Sequence, residues 1–185
     1  MNVPVRNTRR AYGAVAQFLH WAVVAGILLQ FAWAWRIDRT DSIRQQFALV
    51  NEHKSIGMTV LLLAAVRLAW RAFNRPPPFP GAMQAWERRA AGIAHVLLYA
   101  LIFAMPLSGW AYSSAAGYGA EFWGLLEIPD FVPQGETLES ALGTLHQALA
   151  VSLLVLAGTH AGAALRHHFW LHDNVLRRML PLWKS

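Results

Sequence analysis

Four stretches of this chain run almost without charge, and between them charged residues, glycines and prolines gather. A helix needs roughly 20 apolar residues to cross about 30 Å of hydrocarbon, and each stretch supplies them. The pattern predicts four transmembrane helices over approximately residues 14–35, 53–73, 90–112 and 141–166, the second interrupted by Arg67 and Arg71. Nowhere do apolar and polar residues alternate in the ten-residue units of an outer-membrane strand. The expected fold is therefore an all-α membrane protein, a four-transmembrane-helix bundle forming a single domain over 1–185. An interfacial tail, 167–185, closes the chain, with Leu171, Val175, Met179 and Trp183 set towards lipid if it is amphipathic and helical.

Between the second and third spans, "RPPPFPG" cannot be helical, because each proline removes a donor and restricts the residue before it. Pro106 falls inside the third span, where it kinks the helix and neighbours must satisfy the freed carbonyl. The connection from 113 to 143, rich in glycine, proline and aromatics, is the longest irregular piece expected. The first apolar run is long for a signal-peptide core and ends in "FAWAWR" without a clear small-residue cleavage site, so it is read as a retained span. Trp33, Trp35, Trp70, Phe73, Trp110, Tyr112, Phe169 and Trp170 stand at span ends as interfacial anchors.

Composition agrees: 56% of residues are hydrophobic and only 14% charged. The net charge of +6 is explained by where it lies. Arg6, Arg9 and Arg10 precede the first span, Arg75, Arg88 and Arg89 lie between the second and third, and Arg166, Arg177, Arg178 and Lys184 follow the fourth. By contrast, 36–54 is balanced, and 113–143 holds Glu121, Glu127, Asp130, Glu136 and Glu139 with no base. The positive-inside rule then predicts both termini cytoplasmic. The basic excess is orientation and membrane-lipid contact, and no nucleic-acid partner is expected.

The chain has no cysteine, which removes disulfides, thiolate metal sites, iron–sulfur clusters and covalently attached c-type haem. It has eight histidines, of which His20, His53, His95, His146 and His160 fall within or at the ends of spans. Ionisable groups at membrane depth usually face the bundle interior and serve function, although a neutral histidine can also act as polar glue between helices. Fourteen residues separate His146 from His160; at about 100° and 1.5 Å per residue, they share a helix face about 21 Å apart. By depth, His53 joins His146 in an outer layer, while His160 lies in an inner layer with either His20 or His95. Zinc would want three or four ligands in one place, whereas haem iron takes two axial imidazoles from facing helices. Gly57, Gly143, Gly158, Ala161 and Gly162 beside these histidines suit close approach of a flat macrocycle, and suit plain helix packing as well. Arg67, 14 residues after His53, lies on the same face at the inner level, placed for a haem propionate or for snorkelling to the interface.

Together "QFLHWAVV", "NEHKSIG", "AHVLLYALIFAMPLSGW", "TLHQALA", "GTHAGAALRHHFW" and "DNVLRRMLP" make the whole chain resemble the bacterial cytochrome b561 group. That group is similar in turn to the cytochrome b subunits of nickel–iron hydrogenases and formate dehydrogenases. The resemblance implies a bundle in the bacterial inner (cytoplasmic) membrane holding two b-type haems, one bound by His20 and His160 and the other by His53 and His146, with His95 the alternative inner ligand. It implies single-electron transfer between an outer donor and the quinone pool, superoxide and ubiquinone being the most specific pair. His167 and His168 in "RHHFW" fall where the quinone is expected, or are plain interfacial histidines. One departure is plain: superoxide is an anion, yet 113–143 is acidic, a pattern that also suits a basic periplasmic redox protein. Arg36, Arg39, Arg44 and Lys54 offer a local basic funnel near His53. Two other readings stay open: a membrane-anchor cytochrome subunit of a dehydrogenase or hydrogenase, and a haem-free bundle whose histidines bind a transition metal or carry protons.

Overall fold

A computed structural model of the chain describes residues 4–81 and 83–180. Its elements are α1 (Ala14–Asp38), α2 (Ile43–Phe73), α3 (Ala85–Ala115), β1 (Ala120–Phe122), β2 (Leu126–Ile128) and α4 (Glu136–Phe169), followed by a 3₁₀ turn at Arg177–Met179. All four helices are long and apolar enough to cross a membrane. The protein is a four-helix membrane bundle, as its apolar runs predict.

The helices outrun their apolar parts. At 1.5 Å per residue the 34 residues of α4 reach about 51 Å, well past the hydrocarbon. Similarly α2 starts at Ile43 rather than near residue 53, because Arg44, Gln45 and Gln46 are good helix formers that hydropathy alone does not register. A reciprocal capping box between Gln84 and Glu87 sets the start of α3, the Gln84 N–H donating to Glu87 Oε2 at 3.0 Å.

α1 packs on α2 and α3 on α4, and contacts between α2 and α3 join the two pairs. Many of the buried positions are small: Ala16, Ala64, Ala111, Ala115, Ser55, Ser108 and Ser114. Large side chains such as Phe18, Leu62, Val96 and Val155 face outward. This inversion follows from lipid being as apolar as leucine, so helix contact is gained by close backbone approach instead of by hiding large apolar groups. At the α1–α2 contact Gly26 shows the constraint, since a Cβ there would lie 2.5 Å from a Val60 methyl.

The connection from 113 to 143 is more ordered than expected from sequence. α3 continues to Ala115, α4 begins at Glu136, and between them β1 and β2 form an antiparallel hairpin with Glu121 opposite Glu127. Three residues turn the hairpin, and Trp123 and Gly124 take left-handed φ values of 54° and 68°. Three-residue strands carry too little period-two signal to stand out in a sequence. The hairpin is docked on α2 by Ser55, whose Oγ lies 3.0 Å from the Glu121 carbonyl and accepts the Trp123 N–H at 3.0 Å. Trp123 Nε1 donates to Thr59 Oγ1, and Lys54 Nζ to the Gly119 carbonyl at 2.7 Å.

The tail also differs from an amphipathic helix. After Phe169 the chain turns back, and Leu171 and Val175 form no helical stripe with Met179. Instead Trp21 Nε1 donates to the Met179 carbonyl at 2.8 Å, Gln17 Nε2 to that of Arg178, and Arg178 Nη1 to that of Pro78. The tail is thereby tied to α1 and to the proline connector; Trp183 and Lys184 lie outside the described residues.

Ser55→Ala removes the α2 side chain that bonds both β1 and the turn of the hairpin. Leaving the Trp123 N–H and Glu121 carbonyl unpaired should cost the docked hairpin about 1–3 kcal/mol. Amide exchange in 120–128 is expected to accelerate while exchange in the four helices stays unchanged.

Candidate functional site

At the hairpin end, outermost by the charge bias, α2 and α4 present His53 and His146 to each other, ring centroids 6.4 Å apart and planes at 79°. α3 contributes to this level too. Ser108 Oγ donates to the Met105 carbonyl at 2.8 Å and lies 2.9 Å from His146 Nδ1. Under the ring sits Gly109, where a Cβ would be 2.9 Å from His146 Cε1. His53 Nδ1 and the neighbouring Gln30 Oε1 are buried without a hydrogen-bond partner among the described residues. The Gln30 amide abuts Gly57, one turn beyond His53, at a would-be Cβ distance of 2.7 Å.

The surface around this level is acidic. An open cleft of about 560 Å³ is bounded by Asn51, Tyr118, Glu121, Glu127 and Asp130. The expected basic funnel is largely committed elsewhere: the guanidinium groups of Arg36 and Arg39 sit over Trp33 and Trp35, and Lys54 is bonded to the hairpin's approach.

At the inner level the rings of His95 and His160 touch edge to face, centroids 5.3 Å apart. His20, packed against Trp21, is within electrostatic reach of Arg67, His160 and His95. Arg67 does not snorkel. Its Nε donates to Tyr99 Oη at 3.1 Å and its Nη1 to the Ala16 carbonyl at 3.5 Å, and it has no carboxylate partner among the described residues. Arg71 shares the Tyr99 face, and with Tyr12 these side chains line a small cleft. Burial raises the Tyr12 phenol above its ordinary value.

Small residues divide by role. Gly143 serves helix packing, its would-be Cβ 3.3 Å from the Tyr112 ring, whereas at Gly158 and Gly162 a Cβ would meet nothing within 4 Å. The glycines around His160 are thus not explained by helix contact.

His167 and His168 separate as well. His167 is buried, with Nδ1 2.5 Å from Asp173 Oδ2, and Asp173 Oδ1 accepts the Val175 N–H at 2.9 Å. That pair closes the turn after α4. His168 Nδ1 is buried without a partner among the described residues.

Residues 11–182 match the family model for prokaryotic cytochrome b561. The chain belongs to that family. It is 32% identical to cytochrome b561 homolog 2 of Escherichia coli K12 over 178 residues, covering 94% of this chain and 93% of that one. To the probable superoxide oxidase CybB of Yersinia pestis it is 29% identical over 93% of this chain and 97% of the relative. A cytochrome b562 of Cereibacter sphaeroides is 29% identical over 88% of this chain and 90% of its own. The family implies electron transfer and b-type haem in a multi-pass bacterial membrane protein.

Whether the residues suit haem can be judged from the rings. With metal–nitrogen bonds of about 2 Å and about 1.2 Å from each nitrogen to its ring centre, two imidazoles that held one iron between them would have ring centres about 6.4 Å apart. The outer pair, at 6.4 Å, fits. His95 and His160 lie closer together, at 5.3 Å. Among the described residues no three His, Asp or Glu side chains converge as a metal-ion site of the zinc type would require. Ser108, Gly109 and Tyr99 escaped the sequence reading because none is ionisable at neutral pH; the only signal was a Ser-Gly pair beside Pro106 in an otherwise apolar span.

Asp173→Ala strands a buried His167 and frees the Val175 N–H. About 1–3 kcal/mol of local stability should be lost from the turn, seen as faster amide exchange over 171–176 with the bundle unaffected.

Proposed function

We propose that the chain binds two b-type haems and passes single electrons from an outer donor, superoxide, to ubiquinone near the inner face. The observation that carries this reading is the pair His53 and His146, facing at the spacing of two imidazoles on one iron. When bound, haem supplies reversible one-electron chemistry at iron. The protein's part is to ligate, insulate and orient. His53 and His146 hold the outer group; His20 and His160 hold the inner one, since the His95 ring lies in direct contact with that of His160. Arg67 has no carboxylate partner among the described residues and bonds Tyr99, an arrangement suited to a propionate. The apolar turns of α4 between His146 and His160 set the gap of about 21 Å between layers.

The net reaction is two superoxide anions plus quinone and two protons giving two dioxygen molecules and quinol. Of the two inner histidines, His168 suits a quinone oxygen better, because His167 Nδ1 is held by Asp173. Both termini lie in the cytoplasm in this arrangement, within the bacterial inner membrane, and membrane lipid is the surrounding partner. Superoxide is supported by the name of the Yersinia pestis relative. A second reading is favoured by the acid-lined cleft of Glu121, Glu127 and Asp130: the donor is a basic periplasmic redox protein, and the chain a cytochrome subunit with no substrate of its own.

The purified protein should show a sharp reduced-minus-oxidised b-type band at about two haems per chain. His20→Ala and His160→Ala should each lose the same haem, while His95→Ala keeps both; loss of a haem on His95→Ala alone would move the inner pairing to His95. Superoxide should reduce the haems and, with quinone present, the quinone. If it reduces neither, the subunit reading stands.

A further inference from the structure

The two outer histidines are held unequally. His53 Nδ1 has no hydrogen-bond partner among the described residues, whereas His146 Nδ1 faces Ser108 Oγ at 2.9 Å. We propose that Ser108 is a positioning residue that fixes the tautomer of His146 and that Gly109 fixes its ring plane, so that α3, which offers no ligand at this level, sets the electronics of the outer haem. The inference rests on the reading that His146 ligates iron.

The argument follows from one proton. A serine hydroxyl has a single hydrogen, and Ser108 Oγ directs it to the Met105 carbonyl at 2.8 Å. Oγ therefore turns a lone pair towards His146, and the nitrogen opposite, Nδ1, is the one that carries the imidazole proton. That leaves Nε2 unprotonated, the form a metal requires. The relay from Nδ1–H through Ser108 to the Met105 carbonyl polarises the ring and makes Nε2 a stronger donor. Gly109 acts on the same ring by shape. Its would-be Cβ lies 2.9, 3.3 and 3.7 Å from Cε1, Nδ1 and Nε2, so the peptide surface is laid against that edge and any side chain there would push the ring away. Ser108 is itself buried, at 7% exposure, so water does not compete for the bond.

Withdrawing the hydroxyl should weaken Nε2 as a donor. A weaker donor favours the ferrous state, so the outer haem's potential rises, and its affinity falls by about tenfold or more. The full-length protein is purified as parent, Ser108→Ala, Ser108→Thr and Gly109→Ala, and each is followed by redox titration and low-temperature EPR. In Ser108→Ala one haem should titrate at a higher potential with a shifted low-spin signal, or be lost, while the other haem is unchanged. Ser108→Thr, which keeps the hydroxyl, should restore both values, and Gly109→Ala should shift the signal of that same haem. Parent-like potentials and spectra in Ser108→Ala overturn the inference, as does a change shared equally by both haems or no restoration in Ser108→Thr. His146→Ala separates the two levels of reading. If it keeps both haems, the ligand assignment itself fails; if it loses one while Ser108→Ala matches the parent, only the role of Ser108 fails.

Discussion

No water reaches the middle of a bilayer, and everything else in this molecule answers to that. Backbone groups must be bonded within the chain, which leaves helices as the spanning elements, and every imidazole at depth must find its partner in protein or cofactor. His53 and His146 face each other across α2 and α4, with His53 Nδ1 still unpaired among the described residues. Their facing requires those helices to stand apart by the width of two rings, so close packing is found instead within the α1–α2 and α3–α4 pairs.

Close packing within the pairs is what gives the site its rigidity. Small residues let α1 reach α2 at Gly26 and α3 reach α4 at Gly109 and Gly143, each backbone approaching to where a methyl would collide. Because α3 lies against α4 at Gly109, its serine hydroxyl comes within bonding distance of an imidazole on the neighbouring helix. Packing and chemistry are one feature here: the glycine that permits contact also seats the ring.

The two ends of the bundle differ in charge and in closure. At one end the hairpin, held by Ser55 and Lys54, borders a cleft lined by carboxylates. At the other, the tail is drawn across α1 and the proline connector, and the His167–Asp173 pair ends α4. Arg67 stands inside that end, bonded to Tyr99 and paired with no acid among the described residues. An anionic group from outside the chain is the natural complement to such a guanidinium.

Much of this was legible in the sequence because it depends on local, periodic properties. Runs of apolar residues announce four spans, the bias of arginines orients them, and 14 residues between two histidines place both on one face of one helix. Those inferences need only the helical repeat and the bilayer's thickness. The hairpin could not be seen, since three-residue strands leave no periodic trace, and the folded-back tail could not, since its bonds run from main-chain carbonyls to side chains far away in sequence. Nor does depth alone choose between His20 and His95, because both lie at the inner level; that the His95 ring touches the His160 ring is a fact of tertiary packing that no spacing in the sequence announces. Ser108 and Gly109 belong to the same class. An uncharged serine and a glycine carry little signal of their own, and only tertiary packing sets them on α3 against the imidazole of α4.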